Sequence, residues 1–203
     1  MKVIGITGGV GSGKSALLSY VEDTYNCKVI LADEVAHRVR EPGNPGYESL
    51  IGVLSSDVLD EDGTINRVRM AKQIFVSDDL RKKVNDIIHP AVKETILAEI
   101  DRGKKEEKLD FLFIEAALLI EDGYLDIVDE MWYIYADEAV RRQRLRAARN
   151  YPDDRISLIM KSQLTEEGFR EACDVVIDNS KSLDTACRQI DEQLKNSAEM
   201  RIK

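Results

Sequence analysis

The chain has 203 residues, 43% of them hydrophobic and 33% charged, and a formal net charge of −9. That composition excludes a disordered or fibrous chain. The acidic balance disfavours nucleic acid as the main partner, while leaving room for a local basic pocket around a nucleotide. No apolar run approaches the ~20 residues of a membrane span and no signal-peptide pattern opens the sequence, so no membrane partner is expected. Cys27, Cys173 and Cys187 are widely spaced without a C-x-x-C pair. They indicate neither a zinc site nor a disulfide frame, and a cytoplasmic location with three buried thiols is expected. The length suits one domain with inserted subdomains.

The first element is the apolar, partly β-branched run Lys2–Thr7, which reads as a buried strand. Gly8-Gly9-Val10-Gly11-Ser12-Gly13-Lys14-Ser15 follows and fits G-x-x-x-x-G-K-[ST], the phosphate-binding P-loop. The glycines open backbone conformations closed to residues with a Cβ, so that successive N–H groups can turn inward on phosphate oxygens. Lys14 would reach the β- and γ-phosphates, and Ser15 would ligate Mg²⁺. A helix over about 14–25 completes the strand–loop–helix context that the motif requires. A glycine-rich turn with a chance Lys-Ser is the bland alternative.

Residues 27–32 read as a second strand ending at Asp33. In open parallel sheets ligands sit beyond the carboxyl ends of strands, so Asp33 is a candidate base for a substrate hydroxyl. A helix N-cap would suit the same residue. From 36 to 102 the pattern is helical, with breaks at Glu41–Gly46, at the turn Asp60–Thr64 and at His89-Pro90, before a helix over about 90–102. That span is too long for a simple crossover and reads as a helical insertion covering a substrate.

Leu109–Ile114 is a continuous apolar strand ending at Glu115. Glu115 would hold Mg²⁺ through water, or else be a strand-end carboxylate bonded to backbone. Glu130–Tyr135 is a fourth strand, followed by a helix carrying Arg141, Arg142, Arg144, Arg146 and Arg149. These cannot all share one face, and at least one is expected to clamp phosphate. Asp174–Asn179 is a fifth strand, and 182–198 a closing amphipathic helix. Five short strands alternating with helices argue a parallel α/β sheet.

These landmarks, in order, resemble the dephospho-CoA kinase family over nearly the whole chain. They include Gly5–Ser15, Ala32-Asp33-Glu34-Val35-Ala36-His37, Glu41-Pro42-Gly43, Arg67, His89-Pro90, Leu118–Glu121, Arg144-Leu145, Gln163 and Cys173–Asn179. The resemblance implies transfer of phosphate from ATP to the ribose 3′-hydroxyl of dephospho-CoA. It implies a three-layer P-loop NTPase fold with a five-stranded parallel sheet. The core would comprise 1–35, 108–136 and 170–203, with a CoA-binding insertion about 36–102 and a helical lid about 137–165. Asp33 would be the base and Lys14 catalytic. The ATP site would comprise Gly9, Val10, Gly11, Ser12, Gly13, Lys14, Ser15, Ala16 and Asn179. Arg67, His89, Leu118 and Glu121 would bind the acceptor, and Arg144 and Arg149 the transferring phosphate. Ser15 and, through water, Glu115 would hold Mg²⁺. ATP and dephospho-CoA are the implied partners of a monomer, with a homo-oligomer left open.

Three departures stand out: Glu115 for the usual Asp, Ala117 for Pro, and a lid one residue longer between Arg144 and Arg149. Glu115 and Ala117 leave a catalytically silent relative as one alternative. Another is a kinase for a different nucleoside or nucleotide. A guanine-dependent switch is a third, although Asn179-Ser180-Lys181-Ser182 lacks the N-K-x-D order.

Overall fold

The structure is a computed structural model that describes residues 1–116 and 118–199, with side chains to residue 195. Two compact units divide the chain: Met1–Val29 with Glu107–Lys203, and Ile30–Glu106. The expected Ala117 departure lies outside the described residues.

A five-stranded sheet has the order β2-β3-β1-β4-β5. Its strands are β1 (Lys2–Thr7), β2 (Cys27–Leu31), β3 (Phe111–Glu115), β4 (Glu130–Tyr135) and β5 (Val175–Asp178). The pairs β1–β3, β1–β4 and β4–β5 are parallel. Parallel sheets are covered on both faces, which explains why these strands are apolar runs without alternation. Val3, Ile4, Leu112, Phe113, Ile114, Trp132 and Ile134 are all buried. Strand starts are pinned by carboxylates: Asp129 Oδ2 accepts from the Val3 N–H at 2.7 Å, and Asp174 Oδ2 from the Met131 N–H at 2.8 Å.

Around the sheet the first unit carries α1 (Lys14–Thr24), α6 (Glu138–Arg149), α7 (Asp153–Lys161), α8 (Glu166–Ala172) and α9 (Leu183–Glu199). Tyr20 and Tyr25 both donate to Asp191 Oδ1 at 2.6 Å, tying α1 and the turn after it to α9. The α6–α7 segment is joined by Arg146 with Asp153 and by Arg142 Nη1 donating to Ser157 Oγ at 3.1 Å.

The second unit is built from α2 (Ala32–Arg38), α3 (Pro45–Ile51), a 3₁₀ turn (Ser56–Val58), α4 (Arg67–Phe75) and α5 (Asp78–Glu106). Its core gathers Leu50, Leu54, Val58, Met70 and Val84. The helical pattern between the breaks at Glu41–Gly46 and Asp60–Thr64 is therefore split. It stops at Gly52, whose N–H closes the last turn onto Glu48 O at 3.3 Å, and resumes only as the 3₁₀ turn.

A second correction concerns His89-Pro90. The expected break does not occur, and α5 runs 29 residues straight through Pro90. Proline removes one i→i−4 hydrogen bond and crowds the carbonyl four residues back. Against that, Val84 before it and Val92, Ile96 and Ile100 after it stay buried on one helical stripe. Packing of that stripe on both sides outweighs the lost bond. Pro90→Ala is expected to raise stability by about 1–3 kcal/mol, because it restores a donor in an otherwise intact helix. Urea unfolding would detect the higher midpoint with an unchanged slope.

Candidate active site

The loop leaves β1 at Thr7 and enters α1 at Lys14, with Gly13 as the N-cap at φ 93°. Between them the backbone has neither ladder nor helix to satisfy it, so each polar group must find its own partner. Lys14 Nζ donates back to Gly8 O at 2.7 Å, and the Ser12 N–H to Gly9 O at 3.1 Å. Val10 O accepts from Arg141 Nε at 2.9 Å. Ser12 O accepts from Arg144 Nη1 at 3.1 Å and Asn179 Nδ2 at 2.8 Å. The Leu17 N–H takes Gly13 O and opens the helix. N–H groups of the first helical turn have no intrahelical acceptor, so those of Lys14, Ser15 and Ala16 are available to an anion.

Glycine is required where the chain turns most sharply. Gly8 sits at φ 142° against the Ile134 carbonyl oxygen, and a Cβ there would collide with it. Gly13 is left-handed, and its Cβ would run into Asn179 Nδ2.

Sheet register sets the acid beside the loop. Ile6 pairs with Glu115 across β1–β3, and the Glu115 carboxylate lies 3.6 Å from Lys14 Nζ. Both side chains are mostly buried, so this pair persists in salt better than a surface pair.

Helix α6 presents two kinds of arginine. Arg142 and Arg146 pair with Glu138 and Asp153. Arg141 and Arg144, three apart and on one face, donate instead to neutral oxygens: Val10 O and Gln163 Oε1 for the first, Ser12 O and Asn179 O for the second. Among the described residues neither has a carboxylate within ion-pair distance. Burial pushes the Arg141 guanidinium down, while Glu138 acts on it in the opposite direction from beyond ion-pair distance. Three buried polar atoms around the loop, Thr7 Oγ1, Ser12 Oγ and Asn179 Oδ1, have no hydrogen-bond partner among the described residues. First-turn amides without an intrahelical acceptor, a guanidinium pair bonded to neutral oxygens and orphaned hydroxyls fit a nucleotide phosphate chain. No group of three or more His, Cys, Asp or Glu side chains gathers as a metal site among the described residues. A metal bound here would take its ligands from Ser15, nucleotide oxygens and water, with Glu115 in reach of such a water.

In the second unit, His37, Arg40, Glu41, Thr64, Ile65 and Arg67 line a cavity of ≈ 230 Å³. Arg40 Nε donates to Ala36 O at 2.7 Å, and its Nη2 contacts His37 Nδ1. Burial, then the Arg40 and Arg67 charges, push the His37 imidazole below its ordinary value. Asp33 acts in the opposite direction on both His37 and Arg40. Arg67 opens α4, whose N-cap Asn66 accepts from the Val68 and Arg69 N–H groups.

The dephospho-CoA kinase family model matches residues 2–185. The chain belongs to the dephospho-CoA kinase family. A dephospho-CoA kinase of Halalkalibacterium halodurans is 32% identical over 193 residues, 95% of each chain. One from Streptococcus agalactiae is 30% identical over 194 residues, 96% of this chain and 98% of its own. Among solved structures, the dephospho-CoA kinase of Campylobacter jejuni superposes with a TM-score of 0.76 at 20% identity, covering 99% of this chain and 100% of its own. A shikimate kinase of Acinetobacter baumannii gives 0.57 at 12%, covering 100% and 96%. The last two share the α/β P-loop fold.

Against this family background the site residues fall into groups. Gly9, Val10, Gly11, Ser12, Gly13, Lys14, Ser15, Glu115, Arg144 and Asn179 are gathered at the loop. Arg149 is not among them: it is exposed at the end of α6, its guanidinium 5.9 Å from the Tyr151 ring centre. Asp33 is exposed as the second residue of α2, whose N-cap is Leu31, so Asp33 is not a cap. Its charge still favours the helix N-terminus. His89 lies mid-helix in α5 and is exposed. The Leu118-Leu119 pair divides: Leu119 is buried, Leu118 is 45% exposed, and Glu121 is exposed nearby. No helix among the described residues is long and apolar enough to cross a membrane.

Arg141 was submerged in the arginine-rich run, and Gln163 entered only as a family landmark. The available signal for Arg141 was its spacing three residues before Arg144. Gly13→Ala is expected to lower stability by about 2 kcal/mol or more, combining left-handed strain with displacement of Asn179. Gly43→Ala is the control: φ is 86° but a Cβ meets nothing within 4 Å, so about 1 kcal/mol is expected. Paired urea titrations would compare the two.

Proposed function

We propose that this chain transfers the γ-phosphoryl group of ATP to the ribose 3′-hydroxyl of dephospho-CoA, giving CoA and ADP, the last step of CoA synthesis. The observation that carries this reading is the family match over residues 2–185, laid on a loop whose nearby guanidiniums lack carboxylate partners. Phosphoryl transfer asks the protein for positioning and charge neutralisation more than for covalent chemistry.

Each residue takes a role on that basis. The amides of Gly9, Gly11 and Gly13 to Ala16 cradle the phosphates, while those of Val10 and Ser12 are held within the protein by Gln163 and Gly9 O. Lys14 leaves Gly8 O for the β- and γ-phosphate oxygens, and Arg144 offsets charge on the transferring group. Arg149, exposed beside Tyr151, is the weaker lid candidate. Asn179 holds the loop floor and borders the adenine. Asp33 accepts the proton as the 3′-oxygen attacks the γ-phosphorus and the bond to the bridging β–γ oxygen breaks. Arg67, with His37 and Arg40 nearby, offers positive charge to the acceptor's diphosphate, and His89, Leu118 and Glu121 complete the acceptor side. The core, helical insertion and lid of the family are assigned to 1–35 with 108–136 and 170–203, to about 36–102 and to about 137–165. Mg²⁺, held by Ser15 and through water by Glu115, would neutralise charge between the β- and γ-phosphates. We place the enzyme in the cytoplasm as a monomer acting on small molecules.

A coupled ADP-release assay tests the reading. ADP should form with dephospho-CoA and not without it; equal turnover with adenosine or AMP would sink the acceptor assignment. Asp33→Asn is expected to cut kcat by at least ~100-fold with KM for ATP little changed. Near-normal turnover of that variant would remove Asp33 from the base role.

A further inference from the structure

Val10 is held through both of its backbone polar groups by side chains from far along the chain. Its N–H donates to Gln163 Oε1 at 3.0 Å, and its C=O accepts from Arg141 Nε at 2.9 Å. Arg141 Nη2 donates to the same Gln163 oxygen at 3.1 Å, closing a ring of three hydrogen bonds. The planar guanidinium fork fixes the angle between its two bonds, so the ring accepts one orientation of the Val10 residue. The Arg141 guanidinium also lies against Gly9, where an added Cβ would run into it.

The position matters because Val10 stands between Gly9 and Gly11, the latter at φ 79°. A residue flanked by glycines reorients its peptide planes easily. A reversal at Val10 would carry into the Gly11 turn and redirect the amides that follow. Nothing in β1 or α1 prevents it, since both ladders stop short of this residue.

We propose that Arg141 and Gln163 are positioning residues for nucleotide binding. They clamp the Val10 peptide so that the amides of Gly11 and of Gly13 to Ser15 face the phosphate chain before it arrives, the Ser12 amide being held by Gly9 O. They also tie the shape of the loop to α6 and to the turn after α7, so that displacement of that segment loosens the loop. The proposal rests on the reading of this loop as the ATP site. Without the clamp the competent loop is only part of the population, and apparent affinity falls by that fraction. Uniform loss of ground-state and transition-state binding raises KM and leaves kcat in place.

The test measures ATP affinity by calorimetry, both kinetic constants, melting temperature and hydrogen exchange at the Val10 amide. Variants are Gln163→Leu, Arg141→Ala, their combination, and Gly9→Ala, which evicts the guanidinium without touching it chemically. Each single variant is expected to raise Kd and KM for ATP about tenfold, and Gln163→Leu, which leaves both the loop sequence and the Arg141 charge in place, should keep kcat and KM for dephospho-CoA within about twofold. Val10 amide exchange should quicken while the melting temperature stays within a few degrees. The double variant should match the singles rather than multiply them, because the ring fails as a unit. Unchanged ATP affinity in Gln163→Leu, or a hundredfold loss in the double variant, would overturn the clamp. Wild-type protein that bound no ATP would overturn the assignment of the loop itself.

Discussion

Carbonyl oxygens set the terms for the phosphate loop. For its amides to face one ligand, its carbonyls must face away, and each then needs a donor of its own. Gly8, Gly9, Val10, Ser12 and Gly13 each have one, supplied by Lys14, Ser12, Arg141, Arg144 with Asn179, and Leu17. Three of those donors are cationic side chains. The charge that would attract a nucleotide therefore also shapes the loop that receives it. This double use explains why Arg141 and Arg144 reach for carbonyls while neighbouring arginines on α6 take carboxylates.

Sheet register delivers the remaining parts. With β1 parallel to both β3 and β4, the ends of three strands open toward the same edge. Ile6 opposite Glu115 fixes the acid next to Lys14; Thr7 opposite Tyr133 fixes the departure of the loop. A one-residue slip in either pairing would turn every buried side chain of β1 to the other face, so the core polices the site's geometry.

Local features were legible in the sequence. Glycine spacing disclosed the loop because a left-handed backbone needs glycine wherever it occurs, and β-branched runs disclosed the strands because both faces are covered. What escaped depends on distant packing. Pro90 looked like a helix break because propensity is local, whereas the apolar stripe from Val84 to Ile100 extends across it. Asp33 reads as a strand end or a cap until Leu31 is seen to start the helix. The partnership of Arg141 and Gln163 with Val10 spans separations of 131 and 153 positions, and no spacing rule reaches that far. Which leucine of Leu118-Leu119 would be buried was equally invisible, since the two are chemically identical and only the turn divides them.

The sheet order also bears on the chain's own synthesis. Its central strand is translated first, yet both partners of that strand lie beyond residue 110. At typical elongation rates β1 waits roughly 5–25 s on the ribosome before β4 is complete. During that interval an apolar strand with two open edges must be sheltered, by transient helical contacts or by a chaperone. The donors that fix the loop come later still, with Gln163 and Asn179. A prematurely terminated chain thus carries the whole phosphate-binding motif without the means to shape it, and its unfinished product would compete poorly for cellular nucleotide.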